Sequence, residues 1–81
     1  MGAVTVNSGT MNDDLVPCLV TVPEWHLGVA AGELNRVGAV LDDRVADGTN
    51  QIIKTRIPRL QVSLFRIWLL ENTDTGRVYV G

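Results

Sequence analysis

The stretch LVPCLVTVPEWHLGVAAGELNRVG, residues 15–38, decides the fold. Its first eight residues are apolar on both parities and rich in valine, which predicts a central strand over residues 15–22 that is covered on at least one side. Pro23 and Glu24 then break the strand, because proline is tolerated in a first helical turn and an acidic side chain suits the positive end of the helix dipole. The sequence therefore predicts a strand that leads directly into a helix.

That helix carries one apolar stripe, whose members recur at three- and four-residue steps and are expected to face a sheet. Gly38 follows the last member of the stripe and is the predicted helix stop, since glycine readily adopts the conformation that ends a helix. The stripe consists of Leu27, Ala30, Ala31, Leu34 and Val37.

Two strand patterns follow, over residues 39–45 and 49–57, joined by Ala46-Asp47-Gly48. The Asp-Gly pair favours a tight hairpin turn, so the two strands are predicted to be antiparallel neighbours. Side chains alternate across a sheet, which predicts one buried and one open face for the second strand. Ile53, Thr55 and Ile57 share one face, and Ile52, Lys54 and Arg56 share the other.

From Pro58 the chain reads PRLQVSLFRIWLLEN, a segment that is apolar nearly all round. Helical spacing relates Leu60, Leu64, Ile67 and Trp68, with further apolar residues off that stripe, so a helix is predicted. Residues 59–64 also alternate strictly, which leaves a strand there as the competing interpretation. Residues 72–76 have turn chemistry, and residues 77–80 are predicted to form a short final strand.

The order strand, helix, strand, strand, helix, strand is the split βαβ arrangement of the ferredoxin-like fold. We therefore predict an α+β sandwich, in which a four-stranded antiparallel sheet carries both helices on one face. The 81 residues allow one domain of this kind. It is expected over residues 15–81, with residues 1–14 as a flexible N-terminal leader.

A family resemblance emerges over residues 20–58. This stretch resembles the C-terminal domain, domain V, of elongation factor G and the related ribosomal protection proteins, and the resemblance also implies a ferredoxin-like fold. The matching words are Val22-Pro23-Glu24, His26-Leu27-Gly28, Leu34-Asn35-Arg36, Gly38 and the strand that ends in Ile57-Pro58.

The second helix departs from that family pattern. Where the family carries a segment similar to a ribosome-facing surface, this chain has Ile67, Trp68 and Leu69, and only Leu69, Thr75, Gly76 and Arg77 echo the family. Apolar substitution of this kind favours contact with protein over contact with the ribosome. The phosphate loop GxxxxGK[ST] is missing from the sequence, so the resemblance implies no nucleotide hydrolysis.

Few residues of this chain are candidates for catalysis or metal binding. His26 is the only histidine and has no cysteine or carboxylate at ligand spacing, which favours a structural residue over a metal ligand or base. Cys18, the only cysteine, lies in the apolar strand with nothing to lower its pKa. Asp42 and Asp43 are consecutive in a strand and are expected on opposite faces, which excludes an acid/base pair. We predict no enzymatic activity, no metal, no cofactor and no small-molecule substrate.

The net charge and the hydropathy of the chain argue against nucleic acid and membrane as partners. The formal net charge of -2 gives no global positive field for nucleic acid or anionic membrane. No run of the sequence approaches the roughly 20 apolar residues that span a bilayer. A single cysteine, with no second one for a disulfide, fits a reducing compartment, so a cytoplasmic location is predicted.

Four basic residues, Lys54, Arg56, Arg59 and Arg66, fall in one stretch without an acid among them. They predict a local positive patch on the open sheet face and its rim, where phosphates would bind. Single-strand RNA recognition on such a sheet normally uses aromatic stacking, however, and neither the first nor the third strand has an aromatic residue. An ordinary solvated face is the favoured interpretation.

The apolar excess of the second helix is the strongest functional signal. A two-layer domain buries one stripe of each helix, so the remaining apolar residues are expected to form an exposed patch near Trp25, and such patches mark protein interfaces. A deeper core is the alternative. The predicted interface residues are Val62, Phe65, Trp68, Leu69 and Leu70.

We therefore predict a noncatalytic binding module that is a homodimer or a partner-binding adaptor and is derived from an elongation-factor C-terminal domain. Its expected partner is a second copy or another protein. The alternative is a ribosome- or RNA-associated accessory factor in translation, which would use the four basic residues.

Overall fold

Strands and helices alternate along the chain in the predicted order. The computed structural model describes residues 14–81, so the predicted leader falls outside the described residues except for Asp14. In chain order the elements are β1 (Leu15–Pro23), a 3₁₀ turn (Glu24–His26), α1 (Leu27–Arg36), β2 (Val40–Asp47), β3 (Asn50–Pro58), α2 (Arg59–Asn72) and β4 (Arg77–Val80). The strand alternative for residues 59–64 is wrong, because they begin α2.

The sheet has four strands in the order β2-β3-β1-β4, and all neighbours are antiparallel. The central strand β1 pairs along its full length with β3, and its middle residues, Cys18 to Thr21, pair with β4. Val20 marks the centre, because it lies opposite Ile53 on one side and Val78 on the other. This α+β arrangement confirms the predicted ferredoxin-like fold.

The core lies between the sheet and the two helices. Alternate residues of β1 and β3 face the helices, as period-2 patterning predicts, and α1 buries Ala30 and Leu34 from its predicted stripe. Thr55 is the polar residue among the buried positions of β3, and its Oγ1 donates a hydrogen bond to the Val40 carbonyl at 2.7 Å. The buried strand residues are Val16, Cys18, Val20, Val22, Ile53, Thr55, Ile57 and Val78.

Helix α1 ends where the sequence predicts. Gly38 has a positive φ of 86°. Its N–H bonds to the Asn35 carbonyl at 3.1 Å, and the Ala39 N–H bonds to the Leu34 carbonyl at 2.9 Å. These two bonds form the Schellman pattern that satisfies the last carbonyls of a helix. The predicted role of Gly38 is confirmed.

The hairpin between β2 and β3 turns later than predicted, because β2 continues for two residues beyond its predicted end. Asp47 pairs with Asn50, so the two turn residues are Gly48 and Thr49. Gly48 has φ of 63°, which the first position of the favoured two-residue hairpin turns requires. Ala46 and Asp47 therefore belong to the strand, because the residue that needs positive φ decides where the turn begins.

The turn between α2 and β4 is closed by a glycine with no room for a side chain. The Gly76 N–H donates to Thr73 Oγ1 at 2.6 Å. A Cβ at position 76 would lie 2.7 Å from Leu69 Cγ and closer still to Thr73 Oγ1. Both neighbours are buried, so neither moves easily.

We expect Gly76→Ala to lower the free energy of unfolding by about 1–3 kcal/mol, the usual cost of overpacking. Gly32→Ala is the matched control, because a Cβ there meets open space within α1. That control is expected to raise stability by about 1 kcal/mol through helix propensity. Urea denaturation measures both, and a Gly76→Ala variant as stable as the wild type would contradict the tight turn.

Candidate functional site

The solvent-facing side of α2 carries four large apolar residues, which we call the outer stripe. Leu60 is 82% exposed, Leu64 59%, Ile67 54% and Leu70 50%. On a helix these positions share one face, and Ser63 and Glu71 complete it. Contiguous exposed apolar residues on a small domain mark interaction sites.

The predicted interface residues are largely on the wrong side of this helix. Phe65 and Leu69 are each 1% exposed and belong to the core, and Val62 and Trp68 are half-buried against it. Only Leu70 is exposed. The helix has two apolar faces, and the face that carries the large Phe65 ring packs against the sheet. The sequence does contain one signal for the exposed face. Glu71 lies one turn after Ile67, and a charged residue on an apolar stripe indicates that the stripe faces solvent.

Three rings connect the start of α1 to the flank of α2. The ring centroids of Trp25 and His26 are 5.0 Å apart, and those of His26 and Trp68 are 5.7 Å apart. Trp68 in turn stacks on Phe65 at 5.5 Å. Trp25 at the outer end of this chain is 73% exposed, so the aromatic cluster runs from solvent to the core.

His26 is buried in this cluster, in the first turn as predicted. Its Nε2 finds no hydrogen-bond partner among residues 14–81. The described residues also contain no group of three His, Cys, Asp or Glu side chains that could hold a metal ion. The contacts of the imidazole in the structure are with the rings of Trp25 and Trp68.

The four basic residues predicted as a patch are divided between the two layers. Lys54 and Arg56 lie on the open sheet face, whereas Arg66 lies on α2 and donates to the Val78 carbonyl at 3.2 Å. Arg59, at the start of α2, pairs with Asp14 at 3.0 Å. The structure therefore brings together only Lys54 and Arg56.

Arg56 is itself paired with an acid. Its Nε and a terminal nitrogen donate to the Asp42 carboxylate at 3.0 and 2.9 Å. These hydrogen bonds, aided by the opposite charges, hold the pKa of Asp42 below its ordinary value and raise the pKa of Arg56. Asp42 therefore offsets one of the two positive charges on the open face.

Asp42 and Asp43 do not lie on opposite faces as predicted. A β-bulge between Leu41 and Asp43 inserts one residue and breaks the alternation of β2. Asp42 then reaches Arg56, and Asp43 lies opposite Lys54 on the same open face. The Asp43 carboxylate accepts a hydrogen bond from the Arg44 N–H at 2.8 Å. Each of the two acids therefore already has a hydrogen-bond donor.

Two shallow hollows flank β2. The larger, about 490 Å³, lies between α1 and the free edge of β2 and has an apolar floor that includes Leu27, Leu41 and Ile53. The smaller, about 250 Å³, includes Lys54 and Arg56. The bulge and the Asp43 cap on the Arg44 N–H disfavour addition of a further strand at this edge.

The open face of the sheet, within residues 14–81, carries one aromatic side chain, which lies on the fourth strand and not on the first or third. Tyr79 of β4 is exposed and lies opposite Leu19 of β1. A single tyrosine beside leucine offers one stacking surface and no series of them.

Comparisons with protein-family models, with curated proteins and with solved structures each found no match to this chain. The resemblance to the elongation factor G domain therefore stays a prediction. No helix within residues 14–81 has the length and apolar character needed to cross a membrane. The outer stripe remains the most distinctive surface of the described fold.

Replacing His26 tests how much the Nε2 atom, which has no hydrogen-bond partner, lowers the free energy of unfolding. His26→Phe keeps a flat ring between Trp25 and Trp68 and removes the polar atom. A buried polar group without a hydrogen bond costs about 1–3 kcal/mol, so we expect His26→Phe to raise the free energy of unfolding by about 1 kcal/mol.

His26→Ala is the control, and it should lower stability because it leaves a cavity. Urea denaturation followed by tryptophan fluorescence measures both variants, since Trp68 contacts the ring. Destabilisation by His26→Phe would contradict the expectation that the buried Nε2 without a partner lowers stability.

Proposed function

We propose that this chain is a noncatalytic protein-binding module that functions as a homodimer through the outer stripe of α2. The observation that supports this most is the exposure of Leu60, Leu64, Ile67 and Leu70 on one side of one helix. Exposed apolar area of this size is unfavourable in water, and its burial stabilises a contact by roughly 25 cal/mol per Å². A second copy supplies an identical apolar face.

The surroundings of the stripe also support protein contact. Trp25 is largely exposed and contacts His26, whose ring in turn contacts Trp68 of the same helix, and tryptophan is enriched at the energetic centres of interfaces. The helix is held by its core residues and by the aromatic cluster, so little ordering entropy is lost on binding. A rigid apolar face is suited to a stable contact.

Nucleic-acid or ribosome binding is less well supported as a function. Arg56 and Arg59 are each paired with a carboxylate, and Arg66 lies in the helix layer away from Lys54. Phosphate binding depends on several unpaired basic groups along one path. The dispersed charges offer no such path among the described residues.

The proposal includes two further features, both first predicted from the sequence. Descent from an elongation-factor C-terminal domain is supported by the matching words between Val22 and Pro58, and by a fold of the same type. A cytoplasmic setting is supported by the buried, unpaired Cys18 thiol, which suits a reducing compartment. Both belong to the proposal.

A charge placed on the stripe tests the function. We expect Ile67→Glu to raise the dimer dissociation constant by at least roughly 30-fold, which corresponds to about 2 kcal/mol, because a carboxylate would be buried at the contact. Val45→Glu is the matched control. Val45 is 46% exposed and Ile67 54% exposed, but Val45 lies on the opposite face of the sheet.

Light scattering coupled to size exclusion, over a concentration series, gives the oligomeric state, and circular dichroism checks that each variant is folded. The wild type and Val45→Glu should be dimers under conditions in which Ile67→Glu is a monomer. A wild type that stays monomeric at high concentration, or a dimer that survives Ile67→Glu, would refute the proposal.

A further inference from the structure

We infer that two copies of α2 pack against each other in antiparallel orientation about a twofold axis, with Leu60 of one copy against Leu70 of the other. This inference rests on the proposed function and specifies its geometry. It follows from three features of the outer face of α2: the spacing of its residues, their sizes and the area it exposes.

The spacing is that of a helix-pairing seam. Leu60, Ser63, Ile67 and Leu70 follow one another at steps of three, four and three residues, which is the a/d pattern of paired helices. They lie directly opposite the core residues Phe65 and Leu69 on the helix. The seam therefore points straight away from the sheet, where a second helix can approach it.

Side-chain size selects the antiparallel orientation. Antiparallel packing sets Ser63, the one small residue of the seam, against Ile67 of the second copy, and Leu60 against Leu70. Parallel packing would set Ser63 against Ser63 and leave a void at that level. Interiors pack densely, and voids are destabilising, so the antiparallel arrangement fills space better.

The exposed area is sufficient for a stable dimer. The four apolar residues of the outer stripe expose on the order of 400 Å² per copy, at roughly 100 Å² each. Apolar atoms form about 60% of an interface, so the full contact would be roughly 700 Å² per copy. That area lies within the range of a standard stable interface.

Paired cysteines test the orientation. In Leu60→Cys/Leu70→Cys the two positions of one chain are about 15 Å apart along the helix, too far for a disulfide within the chain. Antiparallel packing brings each cysteine beside its counterpart in the second copy. We expect mild oxidation to give a covalent dimer of the double variant on nonreducing gels, and to leave Leu60→Cys and Leu70→Cys singly uncrosslinked.

The wild type serves as the control for Cys18. Burial raises the pKa of the Cys18 thiol, with a smaller opposing effect from Arg66, so this buried thiol should not crosslink. Light scattering on each reduced variant establishes that it is dimeric at the concentration that is oxidised.

The outcomes separate the inference from the function. Crosslinking of the single variants would indicate parallel helices and overturn the inference while leaving a dimer. A double variant that is dimeric but does not crosslink would also overturn it, because the proposed pairing brings the two sites together. A wild type that is monomeric throughout would overturn both the inference and the proposed function.

Discussion

The contact of Phe65 and Leu69 with the sheet is the interaction on which the surface of this protein depends. Each is 1% exposed, and together they set the rotation of α2. A helix completes a turn every 3.6 residues, so burial of these two positions necessarily directs Leu60, Leu64 and Ile67 to solvent. The candidate interface is thus a geometric consequence of the core.

The aromatic cluster adds a second constraint, on the position of α1 relative to α2. Its rings extend from exposed Trp25 through His26 and Trp68 to Phe65 in the core. The same rings that tie the two helices together also form the flank of the outer stripe. Stability and the proposed binding surface therefore share residues, and the polar His26 nitrogen among them is the feature that packing alone does not explain.

Local patterns predicted most of the fold. The valine-rich run of β1, the stripe of α1, the positive φ at Gly38 and the alternation of β3 each depend on a few neighbouring residues, and each was confirmed. The candidate site was predicted only as far as the correct helix. Two apolar faces on α2 have the same period, so spacing alone cannot say which of them meets the sheet.

The sequence by itself determined the order of strands and helices and the presence of more apolar residues on α2 than one buried stripe needs. Tertiary structure decided which of those residues are exposed, where the hairpin turns, and that Asp42 and Asp43 share a face. The physical reason is range. Strand and helix periods are set by adjacent residues, whereas helix rotation, the bulge in β2 and the pairing of Arg56 with Asp42 arise from contacts between segments distant in the chain.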